Sequence, residues 1–180
     1  MFNKVISSPL VKVPARYGAI AGLLCIICLI TLFYIGKSPF LIDPYKDFRI
    51  PLFGVLIFFC IKEIRDFYTG GMLKMWEGMS AGMLFLAVTA IVAAIGILIF
   101  GTIKPAFVTD YIAEFTEQIR GLDESSVKQI GKDTLESSLK ALPGTTIGDL
   151  ASLYVWQTFV TGFFISVIIS VILRRQPKPE

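Results

Sequence analysis

The sequence contains no histidine. That removes the usual general base of neutral pH, the imidazole ligand of zinc and the common axial ligand of haem at one stroke. Cysteine is scarce as well: Cys25, Cys28 and Cys60 are the only three, and all lie inside apolar runs, so no extracellular disulfide framework follows from them. Charge is thin. Asp, Glu, Lys and Arg make up 17% of 180 residues, and a net charge of +3 is too small and too scattered for a nucleic-acid footprint. These shortages argue against an enzyme and point to no metal and no cofactor. The spacing "CIIC" at 25–28 does match a redox or metal pair. Lying mid-run with no further ligand evident, it reads as small polarizable packing residues of a membrane helix.

What the chain has in excess is apolar length. It is 54% hydrophobic, and the apolar residues are gathered into long runs, which makes a bilayer the expected solvent. The run 17–36, "YGAIAGLLCIICLITLFYIG", carries no charge and is long enough to cross about 30 Å of hydrocarbon. No small-x-small cleavage site precedes "KSPF", so this segment reads as a retained span. Further spans are expected at 48–66, 78–103 and 150–173, the last stopped by Arg174 and Arg175. The expected fold is all-α and polytopic: four transmembrane helices with a two-helix amphipathic periplasmic excursion between helices three and four. The regions are a cytoplasmic tail at 1–16, helices one to three at 17–103, the excursion at 104–149, helix four at 150–173 and a cytoplasmic tail at 174–180.

Basic residues set the orientation. Lys4, Lys12 and Arg16 occupy the N-terminal tail without an acid, and the C-terminal tail holds Arg174, Arg175 and Lys178 against Glu180. An even number of spans places both tails in the cytoplasm. The 104–149 segment, with five basic and eight acidic residues, then lies outside, while loop 37–49 carries a slight positive excess that suits an external loop poorly.

In the excursion, Phe107, Tyr111, Phe115 and Ile119 recur every four residues, a helical stripe that could face a partner. A second helix over 123–142 is expected from Val127, Ile130, Leu135, Leu139 and Leu142, with Asp123 as N-cap and "PGTTIGD" as its stop.

The most informative stretch is "IKEIRDFYTGG" at 61–71. The apolar run before it, 50–61, covers only about 18 Å as a helix, so the span must draw in charged neighbours. Arg49 is expected to snorkel outward. Lys62, Glu63, Arg65 and Asp66 form a candidate interface or intramembrane charge cluster at the cytoplasmic face, with Lys62 and Asp66 paired at i, i+4. Gly70 and Gly71 then stop the helix, and Trp76 sits at interface depth. Spans one and three share a small-xxx-small pattern, "YGAIAGLL" against "EGMSAGML", through Gly18, Gly22, Gly78 and Gly82. Span four carries Gly162, Ser166 and Ser170. Such faces let helix backbones approach closely, within the monomer or in self-association.

"YGAIAGLL", the run "FFCIKEIRDFYTGGMLKMWEGMSAG", the long polar-helical segment and the ending "VILRRQ" together resemble the bacterial membrane family catalogued as domain of unknown function 4199, found in Bacteroidota. The likeness covers nearly the whole chain. Its most specific part is the turn, through Ile61, Lys62, Arg65, Asp66, Gly70, Gly71 and Trp76. The resemblance implies four spans in the inner membrane of a Gram-negative cell and no particular activity.

Three functions are consistent with these residues. The first is a non-catalytic accessory or scaffold subunit whose partners are the lipid bilayer and other membrane proteins or copies of itself. The second is a small transporter or channel component acting as an oligomer, for which Thr31, Thr89, Gln157, Thr158, Thr161 and the charge cluster are the polar candidates. The third is a membrane thiol redox enzyme using Cys25 and Cys28.

Overall fold

The structure is a computed structural model, which describes residues 8–42, 46–122, 127 and 131–174. The described residues are helical, with no strand. Asp123, Ile130, Arg175 and the distal tail residues of the sequence reading lie outside them.

Helix α1 runs Pro9–Tyr34, starting well before the expected span at 17. Ser8, in extended conformation, precedes it, and Pro9 occupies the first turn, where the missing N–H has no partner to lose. Helix α2, Arg49–Glu63, continues into a single π-turn, Ile64–Tyr68, in which Thr69 N–H reaches back five residues to Ile64 O at 3.1 Å. Gly70 and Gly71 both take positive φ, 63° and 83°, and the winding stops there. Helix α3 spans Met75–Ile103 and ends at Lys104, the residue before Pro105, which is pushed out of the helical region. Helix α4, Ala106–Arg120, is therefore a separate element rather than an extension of α3. Helix α5 covers only Lys132–Ala141. The expected helix from 123 is interrupted, because Gly131 takes φ +92° immediately before α5. Helix α6, Ile147–Leu173, opens on a reciprocal cap in which Thr146 Oγ1 accepts from Asp149 N–H at 3.3 Å and Asp149 Oδ2 accepts from Thr146 N–H at 2.8 Å.

The bundle is organised on α3, which packs along α1 on one side and α6 on the other; α2 closes the ring against α6 and α1. The surface is apolar. Leu23, Ile27, Ile91, Ile99, Phe164 and Ile172 are each more than half exposed, whereas Ala21, Ala81, Ala90 and Ala93 are buried. An exposed surface of large apolar side chains, with small residues at the helix contacts, is the arrangement of a protein solvated by lipid. Helices α1, α3 and α6 are long and apolar enough to cross a membrane, the mark of a multi-pass membrane protein. At 15 residues α2 is shorter than these.

The small residues sit at the helix contacts. A Cβ on Gly18 would stand 2.6 Å from Phe85 O, and one on Gly22 would stand 2.7 Å from Val92 Cβ, so α1 lies against the α3 backbone. That closeness lets Thr89 Oγ1 donate across the interface to Gly18 O at 3.1 Å, as well as to Phe85 O at 2.8 Å in its own helix. On the other side of α3, Gly78 faces Ser170, Gly82 faces Ser166, and Gly162 of α6 accommodates Leu86.

Gly22→Ala should lower stability in detergent by about 1–3 kcal/mol, because Val92 and the α3 backbone must give way. Gly54→Ala, where a Cβ meets nothing within 4 Å, should be neutral or add up to about 1 kcal/mol of helix propensity. Thermal or denaturant unfolding in micelles measures both, and equal effects at the two sites would refute the packing account.

Candidate functional site: a buried ion pair beneath an aromatic cap

At the end of the bundle bearing the α1–α2 loop, side chains from five segments converge. Phe33 of α1, Phe40 of the loop, Phe100 of α3 and Phe107 of α4 meet edge-to-face with centroids 5.3–5.5 Å apart. Phe40 also contacts Tyr111 at 5.7 Å and Tyr154 of α6 at 6.1 Å. Each such pair contributes beyond its buried area. Burial pushes the Tyr111 phenol above its ordinary pKa.

The stripe on α4 is thus turned toward the chain itself. Phe107 and Tyr111 are buried, and Phe115 and Ile119 are half-buried against the same core. This corrects the expectation of a partner-facing stripe: the apolar face of a short amphipathic helix is covered by the nearest apolar surface, here the ends of α1 and α3. What α4 turns outward is acidic, with Asp110 and Glu117 exposed. A cleft of about 360 Å³ lies between α4 and the loop Gly36–Pro39, rimmed by Lys37, Asp110 and Glu117. Glu114 Oε2 accepts from Ser38 N–H at 2.8 Å across it.

Beside the aromatic cap lies an ion pair. Arg49 and Asp47 have side chains only 7% exposed each, and Arg49 Nη2 is 2.6 Å from Asp47 Oδ2. Arg49 Nε donates to both carboxylate oxygens at 2.8–2.9 Å, and the Arg49 backbone N–H adds a further bond at 2.9 Å. The guanidinium lies 4.9 Å from the Tyr154 ring centroid and donates from Nη2 to Gln157 Oε1 at 3.1 Å. Gln157 in turn donates to Phe40 O at 3.4 Å. The network pins the α1–α2 loop to α6. Asp47 accepts from the Arg49 backbone and side chain together, so it holds and orients the guanidinium. Arg49, expected to snorkel outward, instead turns inward, because a carboxylate two residues away and an aromatic face compensate its desolvation.

The charge cluster of 62–66 lies at the opposite end. Glu63 leaves its helix to meet α1: Arg16 Nη2 donates to it at 2.7–2.8 Å and Tyr17 OH at 2.9 Å. Arg65 Nε donates to Asp66 at 2.7 Å. Lys62 lies 6.0 Å from the Phe58 ring centroid. The contacts shown here are with Phe58 for Lys62 and with Arg65 for Asp66, not the Lys62–Asp66 pair that the spacing suggested.

Sequence reasoning missed Asp47, Arg49 and Tyr154 as a unit. Asp47 and Arg49 are near in sequence, but Gln157 is 108 positions from Arg49, and no pattern joins them.

A model of the family described as Protein of unknown function (DUF4199) matches residues 16–175, and the chain belongs to that family. No curated protein and no solved structure matches it.

Asp47→Ala should cost about 3–5 kcal/mol by stranding a buried guanidinium, and adding Arg49→Met should recover much of that loss. Removing the Arg16–Glu63 bond, with Arg16 59% exposed, should cost roughly 0–1 kcal/mol. The single variants Lys62→Met and Asp66→Asn should add. Unfolding midpoints in detergent read all three; an additive Asp47/Arg49 cycle would overturn the buried-pair account.

Proposed function

We propose that this chain is a non-catalytic integral protein of a bacterial inner membrane, an accessory or scaffold subunit with four spans, cytoplasmic termini and a periplasmic cap made of α4 and α5. The observation that carries the reading is the bundle interior. Between its two charged ends the core is filled by Phe53, Ile57, Ile61, Phe85, Leu86 and Ile97, all fully buried. A solute path through one copy would have to displace these side chains, so a rigid platform fits better than a conduit. The thiols fit it too. Cys25 and Cys60 are buried and Cys28 is half-buried, the placement of packing residues.

Several features support four spans over three. Helix α2 runs beside α6 within the ring. Its charged residues are confined to its ends, with Arg49 at one and Lys62 onward at the other. Arg49 is satisfied there by the buried pair, and Glu63 by Arg16 and Tyr17. The start of α1, the α2–α3 turn and the end of α6 share one end of the bundle. Among the described residues that end carries Lys12, Arg16, Lys62, Arg65, Lys74 and Arg174 against Glu63, Asp66 and Glu77, while the opposite end balances. A basic excess of that kind favours the cytoplasmic side. Because the chain covers its own glycine faces and the α4 stripe, partners would dock on the outward acidic side of α4 or on the lipid-facing flanks.

Topology is checked with single cysteines in a background carrying Cys25→Ala, Cys28→Ala and Cys60→Ala. An impermeant maleimide applied to spheroplasts should label Ala113→Cys, and should reach Ser8→Cys, Tyr68→Cys and Arg174→Cys only after lysis. Labelling of positions 8 and 174 from opposite sides would sink the four-span arrangement. Gentle extraction should retain at least one stoichiometric membrane partner; a clean monomer would count against the scaffold role.

A further inference from the structure

The start of α3 and the end of α6 meet where the α2–α3 turn leaves the bundle. In these antiparallel helices Gly82 faces Ser166 and Gly78 faces Ser170. One helical step further, the same register sets Lys74, which caps the start of α3, opposite Arg174, which ends α6. Their chain neighbours Leu73 and Leu173 are buried, so both backbones are anchored there, while Lys74 and Arg174 are exposed. Two accessible cations are thus presented at the mouth of one helix interface.

We propose that this mouth binds the headgroup of a phospholipid of net negative charge, with Lys74 and Arg174 turned to its phosphate. The inference needs only that α3 and α6 cross the bilayer, and it stands whether or not α2 does.

Charge selects the headgroup. Among the described residues neither Lys74 nor Arg174 has an ion-pair partner. The acids at this end already have donors: Glu63 meets Arg16, Asp66 meets Arg65, and Glu77 accepts from the Lys74 backbone N–H at 3.0 Å. Like charges at facing positions repel, and an anion between them removes that cost. A zwitterion would bring an ammonium of its own to the same place.

Depth selects a lipid over a dissolved anion. The turn that carries Lys74 is edged with large apolar side chains: Phe67 is 80% exposed, Trp76 is 76% exposed, and Tyr68 and Met72 are each more than half exposed. Facing water, they would form an uncovered apolar patch. Tyrosine and tryptophan concentrate at the headgroup level of a membrane, where an apolar ring and a polar edge are both satisfied. Trp76, two residues from Lys74, therefore sets that cation at the level of the lipid phosphates. There each basic side chain adds about a fivefold gain in affinity for an anionic surface.

Trp76 is also the reporter. In a Trp156→Phe background it is the only tryptophan. The full chain is reconstituted in phosphatidylcholine nanodiscs doped with phosphatidylglycerol or phosphatidylethanolamine, brominated near the glycerol end of the acyl chains. Half-maximal quenching of Trp76 should need about fivefold less phosphatidylglycerol, the scale of one surface cation. Lys74→Gln with Arg174→Gln should abolish that preference without lowering the melting temperature, because both side chains are exposed. Lys74→Arg with Arg174→Lys should keep it. So should Lys12→Gln with Lys62→Gln, which removes the same charge elsewhere at this end. Equal losses in the two glutamine pairs would mean a diffuse basic field and overturn the site. Equal quenching of the wild type by both lipids would overturn it as well. Loss of the preference on adding inorganic phosphate at constant ionic strength would mean that the mouth takes a dissolved anion, which also overturns the lipid assignment. Absence of quenching by either lipid would place Trp76 clear of the bilayer and remove the argument from depth. Nanodiscs offer the same lipids to both ends, so none of these outcomes depends on which end is cytoplasmic.

Discussion

The structure depends on how closely α3 can be approached. In lipid there is no hydrophobic force between helices, since the solvent is as apolar as the side chains, and association rests on dispersion and shape. Dispersion falls off within an ångström, so the backbones must come almost into contact. On one side of α3, Gly18 and Gly22 of α1 sit against Phe85, Val88 and Val92, and Gly96 of α3 receives Ile26. On the other side, Gly78 and Gly82 of α3 receive Ser170 and Ser166, and Gly162 of α6 receives Leu86. Sharing the bare positions between partners lets a single helix serve two interfaces without being stripped of side chains all round. The hydroxyl of Thr89, donating to Gly18 O, adds a directional bond at the place of closest approach.

With α1, α3 and α6 fixed in this way, α2 has only the fourth edge of the ring to occupy, and it is too short to reach both ends as a plain apolar rod. The two ends meet this shortage differently. At one, desolvation of Arg49 is offset by Asp47, Gln157 and the face of Tyr154, in a setting closed by aromatic rings. At the other, Glu63 pairs with a largely exposed Arg16, where charges retain most of their hydration and the bond is weak. Stability is therefore unevenly placed: the loop-bearing end is held by a buried network whose members depend on one another, and the turn-bearing end by a largely exposed bond.

Much of this was readable from the residues, and what was not has identifiable causes. The apolar lengths of α1, α3 and α6 and the stop at Gly70 and Gly71 follow from local rules of helix span and glycine conformation. The small-residue faces were visible as periodicity, though not which neighbour each would meet. The α4 stripe was correctly placed on a helix but assigned the wrong surface, because periodicity shows that a face is apolar and cannot show what covers it. The Lys62–Asp66 spacing named two residues of one face, but the contacts shown are with Phe58 and Arg65, because a shared face permits a pairing without choosing it. Gly131 divided what its sequence presented as one helix, since a positive φ cannot be told from a tolerated helical glycine in advance.

By itself the sequence determined the solvent, the helical class and the positions at which backbones could touch, because these depend on composition and on spacing within a turn or two. Only the tertiary structure decided which charges were buried. Asp47 and Arg49 are each other's partner, but Arg49 also takes Gln157 and the face of Tyr154 from α6, more than a hundred residues away, and whether a charge tolerates burial depends on what lies across the interface as well as on its neighbours in the chain. The facing of Lys74 and Arg174 belongs to the same category: it exists because two antiparallel helices meet in one register, and a register between helices has no sequence.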